Sequence, residues 1–174
     1  NWQTLINGYS DADLDSPRRS TIPLLAYWQD SVDRFDWLCR QLGFPVTDPV
    51  EFSFEHPVAV GGGRGKPSFT DLMVLAPSIA VAIEGKYTEP PYEKVEAWLR
   101  EPPDENRKLV LNGWLDLLRE ATGMPLTVDL IRDLPYQLIH RAASACYPPA
   151  AHRALVYQIF SADKREYYLD NLQK

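Results

Sequence analysis

From Pro23 onward, Leu25, Trp28, Val32, Phe35, Cys39 and Leu42 recur at steps of three and four, and Gly43 closes the series. That spacing predicts one helix with a single buried stripe. Gln29, Asp30, Asp33, Arg34 and Asp36 form its solvated side. Over residues 50–60 the period falls to two, with Phe52, Phe54, His56, Val58 and Val60 on one side and Glu51, Ser53 and Glu55 on the other. This predicts a first strand. Two further apolar runs lie between Pro67 and Glu89, separated by the breaker Ala76-Pro77-Ser78, and they read as a hairpin.

Helical spacing returns after Pro90-Pro91. Tyr92, Val95, Trp98 and Leu99 predict a short helix ended by Pro102-Pro103, and Val110, Trp114, Leu117, Leu118 and Ala121 a longer one closed by Gly123. Pro135 suits the first turn of a helix running to about Cys146, since its missing N–H costs nothing there. Leu138, Ala142 and Ala145 mark one stripe of that helix, and Gln137, Arg141 and Ser144 the next. Ala154 to Phe160 is β-branched and aromatic, a last strand. The order helix, three strands, helices, strand gives an α/β domain: a mixed sheet of about four strands flanked by helices. Residues 1–22 read as an N-terminal arm, 23–161 as the domain and 162–174 as a C-terminal helix or tail.

Composition narrows the class. Five Trp, nine Tyr and six Phe argue against disorder. A net charge of −6 removes any bulk attraction to polyanions, so a nucleic-acid partner needs a local basic patch. Cys39 and Cys146 lie in apolar helical patterns as isolated thiols, and His56, His140 and His152 make no metal pattern. With no apolar run long enough for a membrane span, the expected compartment is the cytoplasm.

The chemistry lies in the hairpin. Asp71 interrupts its first run, Glu84 and Lys86 its second. Glu84 and Lys86 project from one side of their strand, and Ala80, Ala82 and Thr88 share that side, which is otherwise small and largely apolar. Charges in such a place are costly unless paired, hydrogen-bonded or holding a metal. Two carboxylates on adjacent strands can converge on one hard cation, Mg²⁺ or Mn²⁺, with the Gly85 carbonyl as a further oxygen. The ion would polarise a phosphoryl oxygen and help generate hydroxide, with Lys86 orienting the water or neutralising developing charge. The bland alternative is a set of surface ion pairs on an exposed sheet face. Upstream, Gly61-Gly62-Gly63-Arg64-Gly65-Lys66 invites a phosphate-loop reading. That motif fails, because Val60 stands where its first Gly belongs and Pro67 where it needs Ser or Thr. A flexible connection remains, with Arg64 and Lys66 able to touch a phosphate backbone.

Asp71 within Ser68-Phe69-Thr70-Asp71, followed across a hairpin by Glu84-Gly85-Lys86, resembles the PD-(D/E)xK nuclease superfamily and its restriction-endonuclease-like fold. The resemblance spans residues 23–160 in element order and three positions in diagnostic pattern. It implies a Mg²⁺- or Mn²⁺-dependent phosphodiester hydrolase with Asp71, Glu84 and Gly85 at the metal and Lys86 catalytic. Gln137 with Arg141 resembles the glutamine-bearing helix of RecB-type nucleases, which adds Gln137 to the catalytic set and Arg141 to Arg64 and Lys66 as substrate contacts. The pattern departs where Arg141 replaces a tyrosine and Thr70 a proline. The family's acidic residue on the first helix has no match; Glu55 is a substitute, and Glu89 a group supporting the ligands from behind. The implied partner is nucleic acid, DNA ahead of RNA, with a homodimer as an option and no membrane. Two other readings stay open: a catalytically inactive module for nucleic-acid or protein binding, and an enzyme for a small phosphorylated substrate.

Overall fold

The computed structural model describes residues 9, 14–16, 18–46, 49–90, 92–100, 102, 104–161, 163 and 165–172. Most of the expected N-terminal arm, Pro91, Pro103 and parts of the expected C-terminal segment therefore lie outside the described residues. Four strands form one mixed sheet in the order β1-β2-β3-β4. They are β1 (Glu51–Val58), β2 (Ser68–Ala76), β3 (Ile79–Lys86) and β4 (His152–Ile159). β1, β2 and β3 pair antiparallel in sequence, and β4 lies parallel to β3. Pro77 and Ser78 make the turn between β2 and β3, with Ala76 opposite Ile79.

Helices α1 (Thr21–Tyr27) and α2 (Ser31–Leu42) cover one face. There Leu24, Trp28, Phe35, Leu38 and Cys39 pack on Leu72, Val74, Val81 and Ile83. The single helix expected from Pro23 is thus two, joined by a 3₁₀ turn at Trp28–Asp30. The break turns the stripe, so Leu24 and Leu38 are buried while Val32 is exposed. Gly43 ends α2 as expected, in a left-handed conformation at φ 68°. The other face carries α3 (Val95–Leu99), α4 (Glu105–Thr122), α5 (Val128–Ile131) and α6 (Tyr136–Cys146). Leu111, Trp114, Leu115, Ile139 and Ala143 meet Met73 and Ala82 there. A last helix, α7 (Arg165–Leu172), sends the Tyr168 hydroxyl to the Glu89 carbonyl at 2.7 Å.

β1 corrects the expectation of one continuous apolar side. Phe52 and Phe54 join the α1–α2 layer, whereas Val58 and Val60 join the α4–α6 layer. Between them Glu55 takes φ +48°, and the β1–β2 register passes over it from Phe54↔Leu72 to His56↔Thr70. A non-glycine residue in that region is strained, and here the twist reverses which face the following residues meet. The connection 61–66, expected to be flexible, is also anchored. Asn106 accepts the Arg64 N–H at 2.6 Å and donates to the Arg64 carbonyl at 2.9 Å. Gly63 lies so close to α4 that a Cβ there would stand 2.2 Å from Val110 Cγ2, and a Cβ on Gly113 would stand 2.8 Å from Val60 Cβ. Glycine on both sides lets loop and helix touch.

Candidate active site

The sheet forks at the hairpin's charged residues. β2 and β3 pair from Ala76↔Ile79 down to Leu72↔Ile83 and no further. Beyond that point β2 continues only with β1, to Ser68, and β3 only with β4, to Lys86. Asp71 and Glu84 are the first residues past the split. A fork leaves backbone donors without ladder partners, and these must be satisfied by other means. The Asp71 carboxylate does so, accepting the Gly85 N–H on Oδ2 at 2.9 Å. Gly85 allows the approach of α1 as well, because a Cβ there would meet Ser20 Cβ at 2.9 Å. What Gly85 visibly supplies is thus its N–H and its lack of a side chain.

Glu84 is 3% exposed and Lys86 4%, which rules out surface ion pairs on a solvated sheet face. Glu84 Oε1 accepts from Lys86 Nζ at 2.9 Å and from Gln137 Nε2 at 2.6 Å, and Oε2 accepts from Arg141 Nε. Arg141 also donates to Ser68 Oγ at 2.7 Å and lies 4.0 Å from Asp71 Oδ1. Gln137 and Arg141 are one turn apart on α6, so both reach the same carboxylate; neither is on a solvated stripe, at 4% and 6% exposure. Burial, then the neighbouring Glu84 charge, pushes the Asp71 carboxyl up to about 8 against the pull of Arg141 and the Gly85 N–H.

A cavity of about 540 Å³ opens at the fork, and Asp71, Glu84, Gly85, Lys86, Gln137 and Arg141 all line it. Glu55 and Glu89 line it too. Glu89, however, spends its oxygens on backbone, accepting the Ser20 N–H at 2.6 Å and the Tyr87 N–H at 2.7 Å. Burial opposes its ionisation, and those hydrogen bonds hold it below the usual carboxylate range. It fastens α1 to the end of β3. Among the described residues no three His, Cys, Asp or Glu side chains converge on one ion position, so Glu55 does not complete a cluster with Asp71 and Glu84.

Sequence reasoning placed Arg64 and Lys66 near substrate but missed their setting. They border a second cavity of about 530 Å³, next to the first, where Phe69, Tyr92 and Arg141 line both. His140 faces it with Nδ1 3.0 Å from Ser68 Oγ, and burial, then Arg141 and Lys86, presses its pKa down to about 3. Ser68, Tyr92, Asn106, Arg107 and His140 went unrecognised. Ser68 and His140 carried one signal, proximity in sequence to Asp71 and to Gln137 and Arg141, and proximity alone assigns no role.

Residues 1–174 match the family described as a domain of unknown function, DUF6946, and the chain belongs to that family. No curated protein and no solved structure matches it. Among the described residues no helix is long and apolar enough to cross a membrane.

Proposed function

We propose that this protein is a divalent-metal-dependent phosphodiester hydrolase acting on nucleic acid, DNA first, of the restriction-endonuclease-like, PD-(D/E)xK type. The carrying observation is the fork: past Leu72↔Ile83 the two central strands part, and Asp71, Glu84, Lys86 and Gln137 face one open cavity. The donor set suits Mg²⁺ or Mn²⁺ in kind, two carboxylates being a usual protein contribution where water and substrate phosphate complete the shell. Asp71 Oδ1 and Glu84 Oε2 would hold the ion, Oδ1 because Oδ2 already serves Gly85 and Oε2 because Oε1 already takes two donors. A bound ion supplies Lewis acidity toward the phosphoryl oxygen and a more acidic water.

The chain's own residues do the rest. Gln137 and Lys86 fix the Glu84 carboxylate through Oε1, so that Oε2, which Arg141 holds, is the oxygen an ion would take. Lys86, held as a donor, is placed to hydrogen-bond the attacking water or charge developing on phosphate. With Glu84 Oε2 given to an ion, Arg141 would need another partner, and a phosphate oxygen suits a guanidinium. Asp71→Asn and Lys86→Ala should each remove nicking of plasmid and degradation of single-stranded DNA while the circular dichroism spectrum is retained. Wild-type cleavage by both variants would sink the proposal.

One observation favours a second reading, a nuclease-fold module that binds without cutting. Three donors from the chain already engage Glu84. Calorimetric titration with Mn²⁺ separates the two: the hydrolase takes up the ion at a site lost in Asp71→Asn, and the binding module takes up none.

A further inference from the structure

The cavity beside the fork has a composition unlike the chain as a whole. Arg64, Lys66, Arg107 and Arg141 line it, and among the described residues no Asp or Glu does, in a protein of net charge −6. Arg141 is committed to Glu84. Among the described residues, no carboxylate pairs with Arg64, Lys66 or Arg107. Arg107 is steadied over the Trp98 ring at 5.1 Å and donates to the Trp98 carbonyl. His140, held neutral, neither adds to this charge nor cancels it.

Like charges are gathered here at some cost, and the chain holds them in place. Asn106 grips both polar atoms of the Arg64 backbone, and the glycines at 63 and 113 seat the loop on α4. Unpaired cations on an anchored loop and the first turn of an 18-residue helix, facing one concavity, fit an anion. Phe69 and Tyr92, 43% and 50% exposed, stand on the rim shared with the carboxylate cavity. Exposed rings beside basic groups suit stacking of unpaired bases.

We propose that this cavity is a second phosphate site, taking a phosphate of a single strand whose neighbouring linkage lies at Asp71 and Glu84. This rests on the nucleic-acid reading above but not on catalysis. An internal diester and a terminal monoester share the chemistry that would be read, since both present anionic non-bridging oxygens to Arg64, Lys66 and Arg107.

The test is fluorescence anisotropy in EDTA with a 3′-labelled single-stranded DNA decamer bearing either a 5′-phosphate or a 5′-hydroxyl. Wild type should bind, and the double variant Arg64→Gln/Lys66→Gln, which removes no side-chain bond among the described residues, should bind at least about tenfold more weakly at low salt. Its slope of log K against log salt should be shallower by about 1.4, the loss of two single-strand phosphate contacts. Arg40→Gln, at an exposed position of α2, serves as the control and should change neither quantity. A 5′-phosphate preference in wild type, lost in the double variant, assigns the monoester; equal binding of the two decamers assigns the diester. Double-variant binding with wild-type affinity and salt slope would overturn the site. Because no divalent ion is present, failure of the hydrolase reading, seen as cleavage by Asp71→Asn, leaves this result untouched and distinguishable.

Discussion

Arg141→Gln tests the balance of charge at the fork most directly. In wild type the guanidinium reaches Glu84 Oε2 and Ser68 Oγ and stands 4.0 Å from Asp71 Oδ1, with both Arg141 and Glu84 almost wholly buried. Removing one partner of a buried ion pair costs about 3–5 kcal/mol. Glu84 keeps Lys86 and Gln137 on its other oxygen, so the loss should lie near the lower end, about 3 kcal/mol. In a chain of this length that lowers the metal-free melting temperature by about 6–12 °C. The same change clears the oxygen a divalent ion needs. If half of the lost stabilisation reappears as metal affinity, Mn²⁺ binds about tenfold more tightly, since 1.4 kcal/mol is one decade. Thermal unfolding with and without Mn²⁺, paired with calorimetric titration, reads both effects. The variant should melt low without metal and recover more on Mn²⁺ addition than wild type gains. Wild-type melting without metal, or equal stabilisation of both proteins by Mn²⁺, would refute the idea that Arg141 and the ion compete for Glu84.

Two further outcomes follow from the same geometry. Asp71 is raised from 3.8 to about 8 and His140 lowered from 6.5 to about 3; between about pH 4 and 6.5 the extra native proton on Asp71 and the extra unfolded proton on His140 offset. From pH 6.5 to 8 Asp71 acts alone with more protons bound in the native state, so metal-free stability should fall by about 2 kcal/mol at about 1.4 kcal/mol per pH unit; a flat urea midpoint, or the same fall in Asp71→Asn, contradicts this. Gly113→Ala should destabilise by about 1 kcal/mol despite a helix-propensity gain of about that size, because its Cβ meets Val60 and the Gly61 carbonyl; a higher urea midpoint would show that the loop yields.

The hairpin was legible because two local rules agreed there. Apolar runs around Pro77-Ser78 fixed β2 and β3, and the alternation of a strand put Glu84 and Lys86 on one side. Gln137 and Arg141 were likewise legible as a pair by their helical spacing. What they face was hidden, because the α6-to-sheet packing that carries them to Glu84 is a long-range contact with no local signature. Glu55 shows a different limit. Its positive φ switches the face of β1 midway, and a sequence that alternates perfectly on both sides of it gives no sign of the switch. The break at Trp28–Asp30 is hidden in the same way, since apolar steps of three and four run straight across it. The four-residue α5 was too short to show any period, and the loop's anchorage depends on Asn106, a residue with no apolar or charged pattern to flag it.

Arg141 also explains how so much charge can be buried without a metal. Asp71 and Glu84 at the mouth of a fork would repel each other, and burial raises the cost of ionising both. Burial and the Glu84 charge keep a proton on Asp71 up to about pH 8, so in the metal-free cluster Lys86 and Arg141 face the Glu84 carboxylate, with Gln137 as a neutral donor. A tyrosine at position 141, the residue the resembling motif carries there, would leave Lys86 as the one cation bonded to Glu84 and take the guanidinium from Oε2. On the proposed metal-dependent reading the arginine sets a threshold for metal entry, because a divalent ion at Glu84 Oε2 would displace a guanidinium as well as water. That guanidinium lines the cationic cavity too, where a phosphate can receive it. If both proposals hold, strand and ion should load together: DNA held in the second cavity would lower the cost of moving Arg141, and Mn²⁺ affinity should rise when the strand is bound.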